Sequence, residues 1–337
     1  MINWSECISK IEESKTIVVL PHISADGDAL GSAFSLALAL TLLGKETTVL
    51  LEEEPDKRLA FLMPDFGPDI FIGPVKCWMK YDMAIAVDCA DSHRLGNRSE
   101  TFFSAKRRVK IDHHIEKDPF GQLNFVNTGW AASCEGIWEL LCNEPFDICH
   151  KLRDSIQREN KAYVHMATCI YCGLASDSGS FAYSNTTENT HKTAGILVNF
   201  LKDISDLHFR LFDSSTKESI ALKAIAYNKI TYKKNGRIAL LELTEEDFHS
   251  SGATYDDANE LVSILRCIEG VELAVFARPN RSGSGLKISL RSNRDYDVAA
   301  LAANFGGGGH QRAAGFDFNG DFIEVTEEIL KYIEAGV

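Results

Sequence analysis

Four apolar runs that each end in an acid or an imidazole constrain this chain more than any other feature. Residues 16–21 (TIVVLP) lead into His22, Asp26 and Asp28; 84–87 into Asp88; 109–111 into Asp112, His113 and His114; and 173–176 into Asp177. The first three runs are short and β-rich, and helix-like patterns alternate with them from residue 16 to about 126, which predicts a doubly wound, mainly parallel sheet. In such sheets ligands collect at the carboxyl ends of strands. A single acid there is ordinarily a turn former or a helix cap. Four in order point instead to loops converging on one crevice.

Predicted strands cover 16–21, 47–51, 83–87, 109–111 and 123–126, with helices over 28–43, 131–141 and 161–174. The run 29–43 is apolar but short of a membrane span, so it reads as a buried helix. A helical stretch over 189–228 follows. After the turn Lys233-Lys234-Asn235-Gly236 the pattern restarts, with strands over 237–243, 271–277 and 286–291 and helices over 255–267 and 298–304. The chain of 337 residues is long enough for two cores. It divides into a first domain over 1–187, a helical linker over 188–234 and a smaller mixed α/β domain over 235–337.

Nine cysteines lack a disulfide-scaffold spacing and cannot all pair within the chain, so they read as free thiols in a reducing cytoplasm. Cys169 and Cys172 have the gap of a metal pair but lie in an apolar segment without a second pair, and read as buried helix residues. The opening residues lack a basic region followed by an apolar run, so no signal peptide is expected. A net charge of −13 argues against a surface that coats long duplex DNA, and no membrane partner is expected.

Against that acidic background, residues 271–316 carry six basic residues (Arg278, Arg281, Lys287, Arg291, Arg294, Arg312) and three acids (Glu272, Asp295, Asp297), a surplus of three. The glycine run Gly306-Gly307-Gly308-Gly309 precedes His310 and Arg312. Its amide groups could form an anion nest, helped by an expected helix start after it. Arg291, Gly307, Gly308, Gly309, His310 and Arg312 are therefore candidates for holding phosphate.

Carboxylates mixed with imidazole suit Mn²⁺, with Mg²⁺ or Co²⁺ as alternatives, whereas thiolates would favour zinc or iron–sulfur centres. Asp26, Asp28, Asp88, Asp112 and Asp177 would repel one another without cations. Two ions about 3.5 to 4 Å apart would clamp a phosphate for in-line displacement, which makes phosphoester hydrolysis the expected reaction class. A dinucleotide-dehydrogenase reading fails because the glycines lie near the C-terminal end and the first loop is acidic where a pyrophosphate would sit.

The blocks His22/Asp26/Asp28, Asp88, Asp112-His113-His114 and Asp177 resemble the four motifs of the DHH phosphoesterase superfamily. Gly306–Gly309, His310 and Ala313-Ala314-Gly315 resemble its DHHA1 substrate domain. Within the superfamily the chain is most similar to the bifunctional oligoribonuclease/pAp phosphatase type. The resemblance implies a DHH domain joined to a DHHA1 domain with the active site in the cleft between them. It also implies one metal held by His22, Asp26, Asp88 and Asp177, and a second by Asp28, Asp88, His113 and Asp177. His114 would contact the substrate phosphate, and Asp112 would orient a ligand imidazole; Asp112, His113 and His114 form the implied catalytic group.

The implied activity is hydrolysis of short oligoribonucleotides to mononucleotides and of pAp to AMP, in the cytoplasm, with a homodimer suggested. Cleavage of cyclic dinucleotides or linear pApA is the alternative. A non-catalytic nucleotide sensor is disfavoured because a sensor has no need of a full two-metal cage. Ser180 and Phe181, just beyond Asp177, could line the substrate pocket or belong to the core. His93, His150, His165, His191, His208 and His249 lack acidic companions and read as ordinary histidines.

Overall fold

The computed structural model describes residues 2–73, 80–115, 118–151, 160–259, 261–280, 285–293 and 296–334, with the backbone alone at Cys149 and His310. Arg281, Arg294 and Asp295 lie outside the described residues, as does the His310 side chain. Residues 1–214 and 215–337 form two compact units.

The first unit is built on six strands: β1 (Thr16–Pro21), β2 (Glu46–Leu51), β3 (Asp69–Ile72), β4 (Met83–Val87), β5 (Arg107–Asp112) and β6 (Leu123–Val126). Their order is β3-β2-β1-β4-β5-β6, and every pairing is parallel. Strand order therefore reverses between β1 and β4, the position where an open sheet offers a crevice at its carboxyl edge. The strands are apolar on both sides because both faces are covered. Ile17, Val19, Ile85, Val87, Val109 and Ile111 enter one core with the long helices. The alternate residues Val18, Leu20, Ala84 and Ala86 enter a second core with Leu95 and Phe102.

The helix Gly27–Leu42 is buried along nearly its whole length, the outcome for a helix lying between a sheet and another helical layer. Its small residues permit close approach: a Cβ on Gly31 would meet the Cys169 carbonyl oxygen at 2.4 Å. The facing helix, Lys161–Asp177, carries Cys169 and Cys172 as buried free thiols. Cys142, by contrast, is disulfide-bonded, which corrects the reading of all nine cysteines as free. No described helix is long and apolar enough to cross a membrane.

The second unit holds β7 (Thr231–Lys233), β8 (Ile238–Glu242), β9 (Leu273–Pro279), β10 (Leu286–Ser292), β11 (Gly308–His310) and β12 (Ala313–Phe318). Their order is β11-β12-β10-β9-β8-β7, antiparallel except for the parallel pair β8 and β9. Strand alternation again separates two cores. Leu240, Val275, Ile288 and Phe316 pack with helices Val298–Ala303 and Phe322–Glu334. Leu241, Ala274 and Phe276 pack with Leu222 of helix Lys217–Lys229 and Leu265 of helix Leu261–Arg266. The helical stretch after residue 187 is interrupted, running as Glu188–Leu197, Ile204–His208 and Lys217–Lys229, with a 3-10 turn over Val198–Phe200 and a π-helical turn over Phe209–Asp213 between them.

Candidate functional site

Each acid-ended loop of the first unit begins where a strand or helix delivers it. After β1 the chain turns through Ile23, whose N–H donates to the Arg94 carbonyl at 2.9 Å. Asp26 then caps the helix Gly27–Leu42, its Oδ1 accepting from Asp28 N at 3.1 Å and Ala29 N at 3.0 Å. A capping carboxylate uses one oxygen, and the other is free to face a cation. Asp26 Oδ2 lies 3.7 Å from His22 Nε2. His22 Nδ1 donates to the Ile23 carbonyl at 2.6 Å, which fixes its tautomer and leaves Nε2 as the ligating atom.

Asp88 follows β4 with φ of 57°, a left-handed conformation that an aspartate adopts at a steric cost and that is enriched at functional sites. The turn places Asp88 between the other loops. Its Oδ2 lies 3.5 Å from His22 Nε2, and its Oδ1 lies 3.6 Å from His113 Nε2 and 3.5 Å from His114 Nδ1. His113 Nε2 also sits 3.1 Å from Asp177 Oδ2. That buried nitrogen has no aligned hydrogen-bond partner, as expected of an atom aimed at a cation.

Asp28 is fully buried. Its carboxylate accepts from Ser133 N at 2.6 Å and Cys134 N at 2.9 Å, capping the helix Ser133–Leu141, whose own preceding residue supplies no side-chain cap. Each oxygen keeps a second lone pair for a metal. The packing leaves no slack: a Cβ on Gly173 would meet Cys134 Sγ at 2.2 Å and Asp28 Oδ1 at 2.8 Å. Asp177 is the last residue of its helix, where the macrodipole is negative and a carboxylate is disfavoured unless a cation stands beside it.

The electrostatics record an excess of negative charge. Burial, joined by the charges of Asp88 and Asp177, lifts the Asp28 carboxyl well above the carboxylate range. Burial also raises Asp177, against the opposing pull of His113. For His22 burial disfavours the charged form, yet the Asp26 and Asp88 carboxylates outweigh it and hold the imidazole at about 10. His113 is raised for the same reason, by Asp177, Asp28 and Asp88 against burial. Protons thus gather where divalent cations would neutralise the carboxylates.

Three groups of side chains bring their ligand atoms within 4.8 Å of one another: His22, Asp26 and Asp88; Asp28, His113 and Asp177; Asp88, His113 and His114. The donor set is oxygen and imidazole nitrogen without thiolate, which fits hard or borderline divalent metals. Asp112 stands behind the cluster. Its Oδ1 accepts from His113 N at 2.9 Å, His114 N at 3.3 Å and His114 Nδ1 at 2.8 Å, so the imidazole it orients is that of His114. Burial would raise the Asp112 carboxyl, but the bond from His114 and the charge of Lys110 bring it below the usual range.

One residue of this site had no motif to mark it. Ser133 Oγ donates to Asp88 Oδ1 at 2.9 Å, and its only sequence signal was a place at the start of a helix pattern.

In the second unit the glycine run does not precede a helix. Gly308–His310 forms β11 and pairs with β12, so no helix N-terminus contributes to anion binding there, a correction to the sequence reading. Gly309 has φ of 145°, and a Cβ on it would meet the Ala313 carbonyl oxygen at 2.4 Å; only glycine lets the hairpin close. Ala313 pairs with His310 on one side and Arg291 on the other, placing these three backbone positions in one row across the sheet. Arg291 is half-buried, and Arg312, Gly308 and Gly309 are exposed. His208, read as an ordinary histidine, shares a hydrogen bond of 2.9 Å with the Tyr171 hydroxyl.

The DHH family N-terminal domain matches residues 16–174, and the DHHA1 domain matches residues 235–337. Curated relatives include the bifunctional oligoribonuclease and PAP phosphatase NrnA of Bacillus subtilis, 26% identical with 92% of each chain covered. The protein of the same name from Thermus thermophilus is 28% identical, covering 94% of this chain and 89% of the relative. An exopolyphosphatase-related protein from Bacteroides fragilis has the same fold, with a TM-score of 0.85 at 23% identity, covering 97% of this chain and 95% of that one. With the acids and histidines of all four motifs gathered at the sheet's switch point and both domain types matched in order, the chain belongs to the DHH/DHHA1 phosphoesterase superfamily.

Proposed function

We propose that the chain hydrolyses short oligoribonucleotides to mononucleotides and pAp to AMP, using two divalent metal ions, with Mn²⁺ as the preferred ion. The observation that carries this reading is the convergence of His22, Asp26, Asp28, Asp88, His113 and Asp177, whose ligand atoms lie within coordination reach, in a chain similar to proteins named as oligoribonuclease and PAP phosphatase. One ion is assigned to His22, Asp26, Asp88 and Asp177, the other to Asp28, Asp88, His113 and Asp177. When bound, such ions polarise phosphoryl oxygens and lower the pKa of water.

The chain's own groups supply the rest. The His114 ring, whose Nδ1–H donates to Asp112, is assigned to a nonbridging phosphate oxygen, to which Nε2 donates once the ring is doubly protonated and so stabilises the charge that develops there. Ser133 steadies Asp88 through its hydroxyl. Arg291, Arg312, His310 and the amides of Gly307, Gly308 and Gly309 are assigned to a phosphate of the nucleotide, since guanidinium and glycine-rich backbone both suit that group. A cytoplasmic location, a homodimer and the rejection of long duplex DNA belong to the same proposal; the last rests on the net charge of −13.

The test is a hydrolysis panel with Mn²⁺: di- to pentaribonucleotides, pAp, linear and cyclic di-AMP, and pyrophosphate. Release of mononucleotides from short RNA, together with turnover of pAp, is the expected result. Turnover confined to cyclic di-AMP would replace this substrate assignment, and metal binding without turnover of any compound would replace the enzyme reading with a sensor.

A further inference from the structure

We infer that Lys110 is a positioning residue for His114, acting through the Asp112 carboxylate at the end of β5. Lys110 and Asp112 are two residues apart on one strand, so their side chains leave the same face of the sheet. Both are fully buried. Lys110 Nζ lies 3.5 Å from Asp112 Oδ2, donates to the Ala90 carbonyl at 3.1 Å and the Asp118 carbonyl at 3.4 Å, and sits 5.2 Å from the centroid of the Phe120 ring.

An ammonium at the middle of a central strand needs a reason. Its neighbours on that face include the apolar Ala84, Ala86 and Phe102. A buried ion pair is a weak source of stability, since apolar residues of similar volume commonly hold a fold as well. What the pair does provide is a fixed carboxylate. Oδ2 accepts no hydrogen bond from the described residues, so the ammonium, itself tethered by two carbonyls, holds it by charge at 3.5 Å, and Oδ1 stays in place for its three donors on His113 and His114. Because Oδ1 accepts, Nδ1 carries the proton of the neutral His114 ring, and a second proton on Nε2 is the one a phosphate oxygen would accept. Removing the anchor frees the carboxylate to rotate, and His114 loses both its orientation and its single tautomer.

This inference rests on the hydrolase reading, and two measurements on the full chain separate its failure from that reading's failure. The first is a double-mutant cycle. Lys110→Gln, which keeps a donor for the carbonyls but carries no charge, is expected to lower kcat/KM about tenfold. In the His114→Ala background it is expected to change kcat/KM by less than about twofold, because the two act as one unit. Manganese affinity, measured by titration calorimetry, stays that of the wild type.

The second measurement needs no activity. The ¹⁵N-resolved imidazole spectrum of the metal-free protein should show His114 protonated on Nδ1, and Lys110→Gln should shift it toward a mixture of tautomers. Lys110→Met, which keeps the stem's volume, replaces Lys110→Gln if that variant does not fold. An unchanged His114 spectrum, wild-type kcat/KM in the variant, or an equal loss in both backgrounds would overturn the inference. Wild-type protein inactive on every substrate would count against the hydrolase reading, while the spectrum still decides the role of Lys110.

Discussion

Asp88 is the side chain on which the other groups of the cluster depend, since its two oxygens face His22 on one side and His113 and His114 on the other. Asp88→Ala is therefore expected to abolish turnover and to remove at least one metal equivalent, measured together by assay and calorimetry. Ser133→Ala leaves the ligands in place but deletes the donor that orients Asp88; a loss of about tenfold or more in metal affinity is expected. Arg291→Ala should raise KM for nucleotides while leaving metal binding unchanged. Which acids and histidines meet was readable from the chain because each ends a predicted element. Ser133 and Lys110 were not readable, because a serine at a helix start and a lysine inside a strand gain meaning only from what the fold places beside them.

The elements hold the cluster through close contact. The helices Gly27–Leu42 and Lys161–Asp177 approach so closely at Gly173 that a methyl group would collide with Asp28 and Cys134. Gly173→Ala is expected to lower stability by about 1 to 3 kcal/mol, the usual cost of overpacking, and to weaken metal binding by displacing Asp28; denaturant unfolding and metal titration report the two effects. Strands β1, β4 and β6 were legible to the residue because continuous apolar runs ended in acids or turns. β3 was missed: Asp69–Ile72 is a short edge strand that exposes most of its residues, so it lacks the burial pattern that marks its neighbours. The glycine run was misread for a related reason. Glycine favours loops, and only pairing with β12 reveals that this segment is a strand.

Across the whole molecule the excess of buried carboxylate couples stability to pH and to metal. His22 and His113 have folded pKa values raised above their usual value, so the metal-free fold binds more protons than the unfolded chain and must lose stability as pH rises. For His22 that contribution is fully present below about 6.5 and is lost as pH climbs through about 10. The raised carboxyls of Asp28 and Asp177 act in the same direction, from the ordinary carboxylate range upward. The metal-free protein should therefore show a Tm that falls between pH 6.5 and 10, and saturating Mn²⁺ should reverse the trend, because metal binds the deprotonated ligands. Thermal unfolding at several pH values with EDTA or Mn²⁺ checks this directly.

The acids and histidines that follow β1, β4 and β5, with Asp177 at the end of the helix Lys161–Asp177, are expected to hold two metal ions. Crystals soaked in Mn²⁺ and measured at the manganese absorption edge test that expectation most directly. Two anomalous peaks roughly 3.5 to 4 Å apart are expected, both bounded by Asp88 and Asp177, one against His22 and Asp26 and the other against His113 and Asp28. Absence of density there, or a single ion that leaves Asp88 uncoordinated, would contradict it.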